Sequence, residues 1–413
     1  MPGKSFYFAS SVVMSLFALT ALMTAQSSFK TLQSFGAGTE ILAGVVFDKA
    51  GNLYGVTGSG GTTGAGSIFE LSPNSDGSWT QKVLHNFTGA ADGGVPLPTL
   101  IIDGAGSLYG TARQGGAIGN GVVFQMVSNT DGSWTENILH SFGGPDGSDP
   151  FGGVTFDQAG NLYGTTREGG AGLCSGGCGV VYKLAPNSDG SWTESVLHSF
   201  CTTKGCGDGI NPYIESLVFD QAGNLYGTTE NGGRRSANGG TVFKLTPNSD
   251  GSWSEKVLHS FCSLAACADG EGLLAGVILD QAGNLYGMTE MGGAKTNGAI
   301  FELFPNADGG WTEKVLHSFH VQTDGGEPSG GLIFDQAGNL YGTAWGGPGG
   351  YGVAFKLSPT SNGNWTETVL HAFGDHPGAL PSSGLTFDAA GNLYGTTEGD
   401  GNTTFGSVFE IMP

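Results

Sequence analysis

Basic residues are scarce in this 413-residue chain: 15 Lys and Arg stand against 36 Asp and Glu, a formal net charge of −21. Nucleic-acid binding draws on a basic face that displaces phosphate counterions, so a chain this acidic, with arginine only at 113, 167, 234 and 235, excludes it. Helical periodicity is missing throughout, and a G-X-Y period is missing as well, which rules out collagen although glycine numbers 77. Hydrophobic residues at 38%, with 7 Trp, 11 Tyr and 25 Phe, are too many for a disordered low-complexity chain. Long apolar runs are absent except one, from Phe6 to Met23.

That run follows Lys4 and reads as a secretory signal, with cleavage expected after Ala25. Retention as a membrane anchor is the alternative, since the run is long enough to span. No cysteine follows it, which argues against a lipoprotein. The expected organisation is a signal peptide over 1–25 and one domain over 26–413, exported, monomeric and free of the membrane once cleaved. The six cysteines fall as Cys174/Cys178, Cys201/Cys206 and Cys262/Cys267. An even count in an exported chain reads as disulfides, although six cysteines permit fifteen pairings. A thiolate metal site is the rival reading.

Internal repetition decides the fold. The string NLYG (once SLYG) places its tyrosine at 54, 109, 163, 226, 286, 341 and 394, at spacings of 53 to 63 residues. A second string close to VFKL recurs seven times and a third, close to SWTEKVLHSF, six times. Each unit reads as four strands: a short apolar run before an aspartate (a), LYGTT (b), VFKL (c) and WTEKVLHSF (d), separated by turn residues. Seven such units predict an all-β, seven-bladed β-propeller of four-stranded antiparallel blades. The missing seventh strand d is supplied by residues 27–35, SSFKTLQSF, which align with TEKVLHSF through Leu32 and Phe35. The N-terminal strand is therefore expected to complete the last blade and close the ring.

LYGTT at Leu225–Thr229, the pair Gly232-Gly233 and GTVFKL at Gly240–Leu245 resemble the bacterial GloVer tandem repeats, and the likeness extends over nearly all of the mature chain. The resemblance implies an exported protein with no established activity. Members of that group carry varied C-terminal surface anchors, and this chain, ending at the last strand, is expected to have none. A weaker resemblance is to NHL-type propellers, through the D-x-x-G-N-L-Y turn.

Residues present in every unit are assigned to the blade. The aspartates closing strand a (Asp48, Asp103, Asp157, Asp220, Asp280, Asp335, Asp388) are read as Asx-turn acceptors rather than a cation ring. The strand-d histidines are read as hydrogen-bonded packing. The N-S-D-G-S-W turn misses the spacing of the sialidase Asp-box, and no G-x-S-x-G, H-E-x-x-H or P-loop is present.

Variation concentrates on the face carrying the b–c and d–a loops, which also holds every cysteine. Binding residues gather on loops held by a rigid frame, so this face is the candidate surface. Asp92, Asp146, Asp208, Asp269 and Asp324 each precede glycine in a d–a loop, 11 or 12 residues before the strand-a aspartate. They are candidate ligands for a divalent cation at the channel mouth or for a polyhydroxylated molecule, with Asp-Gly turns as the simpler reading. Trp345, Tyr351, Phe151 and Tyr213 break the repeat on the same face and are candidates to stack on sugar rings. No other cofactor is expected. The reading is a non-catalytic binding scaffold for a protein or glycan partner. The alternative is a lectin or a carbohydrate-active hydrolase or lyase, for which Glu168, Glu230, Glu290 and Glu398 are the acids at hand.

Overall fold

The structure is a computed structural model and describes residues 27–36, 38–213, 217–233, 239–374, 378–399 and 405–413. The expected signal peptide lies outside them, as do Arg234 and Arg235. Turn chemistry recurs at fixed offsets and cuts the chain into 28 strands among the described residues, arranged as seven antiparallel sheets of four. Blade 1 comprises Val46–Phe47, Leu53–Thr57, Ser67–Pro73 and Trp79–Asn86 as strands a to d, and blades 2 to 6 follow in chain order. Blade 7 combines Thr386–Phe387, Leu393–Thr397 and Ser407–Met412 with the N-terminal strand Ser28–Ser34 in position d. The ring is a seven-bladed propeller closed by its N-terminal strand.

Each a–b turn is built on its aspartate. Asp157 accepts from the backbone N–H of Ala159 (2.8 Å) and Asn161 (2.9 Å), from Asn161 Nδ2 (2.7 Å) and from the Tyr163 hydroxyl (3.0 Å). Burial opposes its charged form, but bonds from Asn161, Tyr163 and Ala159 outweigh burial and hold the carboxyl below its ordinary range. The strand-b tyrosine so anchored then packs between blades. Tyr163 meets Phe219 of the next strand a at 5.0 Å and Trp253 of the next strand d at 6.1 Å, both edge-on. Strand b is buried along its length. Its glycine faces the strand-c aromatic directly: a Cβ on Gly164 would stand 2.4 Å from the Tyr182 hydroxyl oxygen.

Strand d is the outer edge and alternates half-buried with exposed residues. Its polar outer side and the bulge shared by all seven c–d pairs blunt an edge that would otherwise template further pairing. The last phenylalanine of each strand d packs on the next blade's strand-c aromatic, as with Phe87 and Phe124 at 5.3 Å and Phe200 and Phe243 at 5.1 Å. Closure repeats these contacts, with Phe35 against Phe69 at 4.9 Å and Lys30 Nζ donating to the Gly77 carbonyl of blade 1 at 2.6 Å.

Three disulfides join Cys174–Cys178, Cys201–Cys206 and Cys262–Cys267. The pairing is local, and no free cysteine remains among the described residues. No helix among them is long and apolar enough to cross a membrane.

Candidate functional site

The strand-d histidines and the d–a aspartates meet. His140 Nε2 lies 2.9 Å from Asp146, His198 3.2 Å from Asp208, His259 3.3 Å from Asp269 and His317 3.2 Å from Asp324; His85 stands 3.6 Å from Asp92. Each aspartate also accepts backbone N–H groups of its own loop, from Thr88, Gly143, Cys201, Ser263 and His320 in turn. The five are thus spread around the ring, one per loop, and none lines the channel mouth. The two loops that separate His from Asp by 10 residues are those stapled by Cys201–Cys206 and Cys262–Cys267.

A glutamate of the neighbouring strand d faces each of four such pairs. Burial, and next the charge of Asp146, Asp269 and Asp324, pushes Glu194, Glu313 and Glu367 up to about 7; burial and Asp92 push Glu136 up to about 8. Carboxyls raised above their ordinary 4.5 bind protons more tightly in the folded chain, so their contribution is full below about pH 4.5, declines above it and is gone once pH has risen through 7. Burial holds His259 and His317 below their ordinary 6.5, against the pull of Asp269 and Asp324, so above that pH both are neutral folded or unfolded. Stability should therefore fall between about pH 6.5 and 8, by on the order of 1 kcal/mol for Glu194, Glu313 and Glu367 together after solvent screening. Melting curves across that range check it. The variant with all three changed to Gln should be flatter, and a wild-type melting temperature that rises with pH would contradict the assignment.

The central channel is walled by strand a, with Val46, Ile101, Val154, Ile278, Ile333 and Thr386 on its lining. At the b–c and d–a end it opens into a second cavity of about 180 Å3. A repeated backbone frame surrounds this mouth. The residue after strand b donates its N–H to a d–a carbonyl in every blade: Gly58 to Glu40, Arg113 to Val95, Arg167 to Asp149, Glu230 to Asn211, Glu290 to Gly272, Trp345 to Glu327 and Glu398 to Leu380. Five of these acceptors are non-glycine residues at positive φ: Val95, Asp149, Asn211, Glu327 and Leu380, between 52° and 58°. Strained backbone of this kind collects where function fixes a conformation. A buried residue follows each acceptor, proline in five blades. Beyond it comes a residue that lines the mouth: Leu42, Leu97, Phe151, Tyr213, Leu274, Ser329 or Ser382.

The mouth therefore takes one side chain from the same position of every blade on a constant frame, joined by Trp345 and Glu398 from the position after strand b and by Pro98. Blades 2 to 4 contribute an aromatic and cationic arc. Phe151 and Tyr213 stack at 3.8 Å with 29° between planes, the Arg113 guanidinium lies 4.6 Å from the Phe151 ring centroid and that of Arg167 lies 5.8 Å from Tyr213. Arg113 is committed to Asp149 through two bonds, at 2.6 and 3.0 Å. The opposite arc is acidic. Glu290 is raised by burial and by Glu327 and Glu230; Glu398 is raised by burial and by Glu40. Four polar atoms around the mouth are buried without a hydrogen-bond partner: Arg167 Nε, Glu230 Oε2, Ser329 Oγ and Trp345 Nε1. Arg167 Nε and Glu230 Oε2 form an ion pair across 3.7 Å, longer than a direct hydrogen bond.

Of the sequence-predicted aromatics, Trp345, Phe151 and Tyr213 reach the mouth. Tyr351 packs instead against the core between blades 6 and 7, with Phe373 and Leu385. Glu230, Glu290 and Glu398 share one position with Arg167; Glu168 lies one residue beyond it. Sequence reasoning missed Arg113 and Arg167 as site residues. The signal was a constant offset, because this position stands four residues after every strand-b tyrosine.

Solved structures of similar fold include a luciferin-regenerating enzyme, 14% identical, with a TM-score of 0.44 over 94% of this chain and 95% of that one. A putative oxidoreductase (glucose dehydrogenase) from Thermus thermophilus is 13% identical, with a TM-score of 0.46 over 94% and 100%. A protein of unknown function from Dyadobacter fermentans is 13% identical, with a TM-score of 0.42 over 94% and 98%. No curated protein matches. The family model described as the Gloeobacter/Verrucomicrobia repeat matches residues 15–236 and 213–413.

Proposed function

Because the chain belongs to the Gloeobacter/Verrucomicrobia repeat family, its blades are the shared frame, and we propose that its own task lies in the side chains displayed at the mouth: an exported, non-catalytic scaffold that binds a glycan there. The observation that carries this is the pair of unpartnered polar atoms in the mouth's lining, Ser329 Oγ and Trp345 Nε1, beside an aromatic and aliphatic wall and the neighbouring Arg167–Glu230 ion pair. Buried polar groups are normally satisfied, and each left open costs about 1–3 kcal/mol. Hydroxyl groups both donate and accept. A sugar ring against Phe151 and Tyr213 would supply partners for Trp345 Nε1 and Ser329 Oγ and bond to the Arg167–Glu230 pair beside them. The disulfides on the same face suit an oxidising compartment.

A glycan array probed with residues 27–413 tests the reading, followed by calorimetry on the best binder. Phe151→Ala and Trp345→Ala should each weaken binding roughly 10- to 100-fold and leave the melting temperature nearly unchanged. An array without a binder would overturn it. Glycan cleavage is the second reading, favoured by Glu398, which lines the mouth and whose carboxyl burial and Glu40 raise. Chain-length analysis of a bound oligosaccharide after incubation, abolished by Glu398→Gln, would establish cleavage in place of binding alone.

A further inference from the structure

Outside the mouth, the junction between blades 1 and 2 differs from its counterparts. In the next four junctions the strand-d histidine stands 2.9 to 3.3 Å from its aspartate. At the first, His85 Nε2 is 3.6 Å from Asp92 Oδ2 and also 3.6 Å from Glu136 Oε2, which arrives from strand d of blade 2. The three donor atoms lie within 4.8 Å of one another. His85 Nε2 is buried without a hydrogen-bond partner, and so is Glu136 Oε1, on a side chain only 10% exposed. An open glutamate oxygen recurs at Glu194, Glu313 and Glu367 and an open imidazole nitrogen at His317, so what sets this junction apart is one imidazole nitrogen held equally between two carboxyls.

We propose that His85, Asp92 and Glu136 form a divalent-metal site that pins blade 1 to blade 2, with zinc as the ion its donor set fits best. Two ligands at 2.0–2.1 Å from a tetrahedral zinc stand about 3.3 Å apart, so His85 Nε2, 3.6 Å from each carboxylate oxygen, needs to close by only a few tenths of an ångström. The two carboxylate oxygens, within 4.8 Å of each other, close by rotation of the flexible Glu136 side chain. One imidazole and two carboxylates suit a borderline ion better than calcium, which takes six to eight oxygens. The bonds that hold these ligands from behind are already in place. The Thr88 N–H donates to Asp92 Oδ2 at 2.8 Å, the Thr88 hydroxyl bonds the other carboxylate oxygen, and the His85 ring rests edge-on against Phe87 at 4.8 Å. Such outer bonds fix ligand orientation before the ion arrives. His85 and Asp92 keep 23% and 19% of their side chains exposed, which leaves a route for the ion and for water as a further ligand. Asp92 supplies negative charge to the site, and Glu136 would give up its proton to solvent as the ion binds, as a carboxyl ligand does.

The test uses the mature chain stripped with a chelator and dialysed against micromolar zinc, with bound metal read by elemental analysis and by cobalt absorption in the visible. Wild type should hold one equivalent more than His85→Ala or Glu136→Gln. Zinc should also raise the wild-type melting temperature by several degrees and leave that of Glu136→Gln unmoved. His259→Ala, at a junction already closed by its hydrogen bond, should keep the full complement. Equal metal in wild type and in both site variants would overturn the proposal, as would the absence of any metal above the stripped baseline. Glu136→Gln keeps the shape of the side chain, so its folding can be verified separately from its metal content.

Discussion

A chain beginning at Gly36, without residues 27–35, should lose cooperative unfolding near the wild-type melting temperature and expose apolar surface to a hydrophobic dye. The missing strand pairs along the whole of the last one, Phe29 with Ile411 and, past a bulge at Leu32, Ser34 with Ser407, and the Phe35 N–H donates to the Gly406 carbonyl at 2.9 Å. Its removal uncovers Val408 and Phe409, both fully buried in the closed ring. The His371 ring loses the Phe29 ring stacked on it at 3.9 Å, and Phe69 loses Phe35. At about 2 kcal/mol for each of Phe29, Leu32 and Phe35, the loss takes roughly half of the 5–15 kcal/mol that holds an ordinary domain. The bare strand-c edge would also invite pairing with another chain. Thermal melts by circular dichroism, with and without a synthetic 27–35 peptide added in trans, measure the effect. The peptide should restore part of the transition, and an unchanged melting temperature in the truncated chain would refute closure by this strand.

The second large effect compares two glycines with the same backbone and different surroundings. Gly179 (φ +92°) precedes strand c of blade 3, and Gly190 (φ +86°) lies in the following c–d turn. Alanine at either position meets the left-handed penalty of about 1–2 kcal/mol. At Gly190 nothing lies within 4 Å of the added carbon, so Gly190→Ala should cost only that. At Gly179 the carbon would sit 2.3 Å from the Thr166 carbonyl oxygen and 2.5 Å from Cδ of Pro212 in the next blade. Relief there means opening the b–c ladder at Thr166–Val180 or shifting a neighbouring blade. Gly179→Ala should therefore cost about 3–5 kcal/mol once overpacking is added, read as a drop in urea midpoint several times that of Gly190→Ala. Equal drops would mean that the contact between blades at this point is soft.

The architecture was legible because its causes are local and repeated. An aspartate that accepts four bonds within six residues, a glycine under an aromatic ring and a turn of Asn, Asp and Gly leave the same string in every blade. Local cysteine pairing was legible for the same reason. The partnership of His198 with Asp208 was not, because loops of differing length separate histidine from aspartate by 6 residues in one blade and 10 in another. The facing glutamate comes from another blade altogether. At the mouth the obstacle was different: Arg113, Trp345 and Glu398 occupy equivalent backbone positions yet share no chemistry, so a search for recurring residue types passes over them. Position had to be counted from Tyr109, Tyr341 and Tyr394 before these residues lined up.

The frame beneath those residues has a consequence for how such chains diversify. Each mouth position is fixed by main-chain bonds, such as Arg167 N–H to the Asp149 carbonyl at 2.9 Å, that survive any change of side chain except to proline. The bonds that build the blade are therefore independent of the side chains displayed at this position. The side chain at each such position can change without altering the bonds that hold the blade. Arginine, tryptophan, glutamate and glycine have all been accommodated at the position four residues after the tyrosine without a change in the blade that holds them.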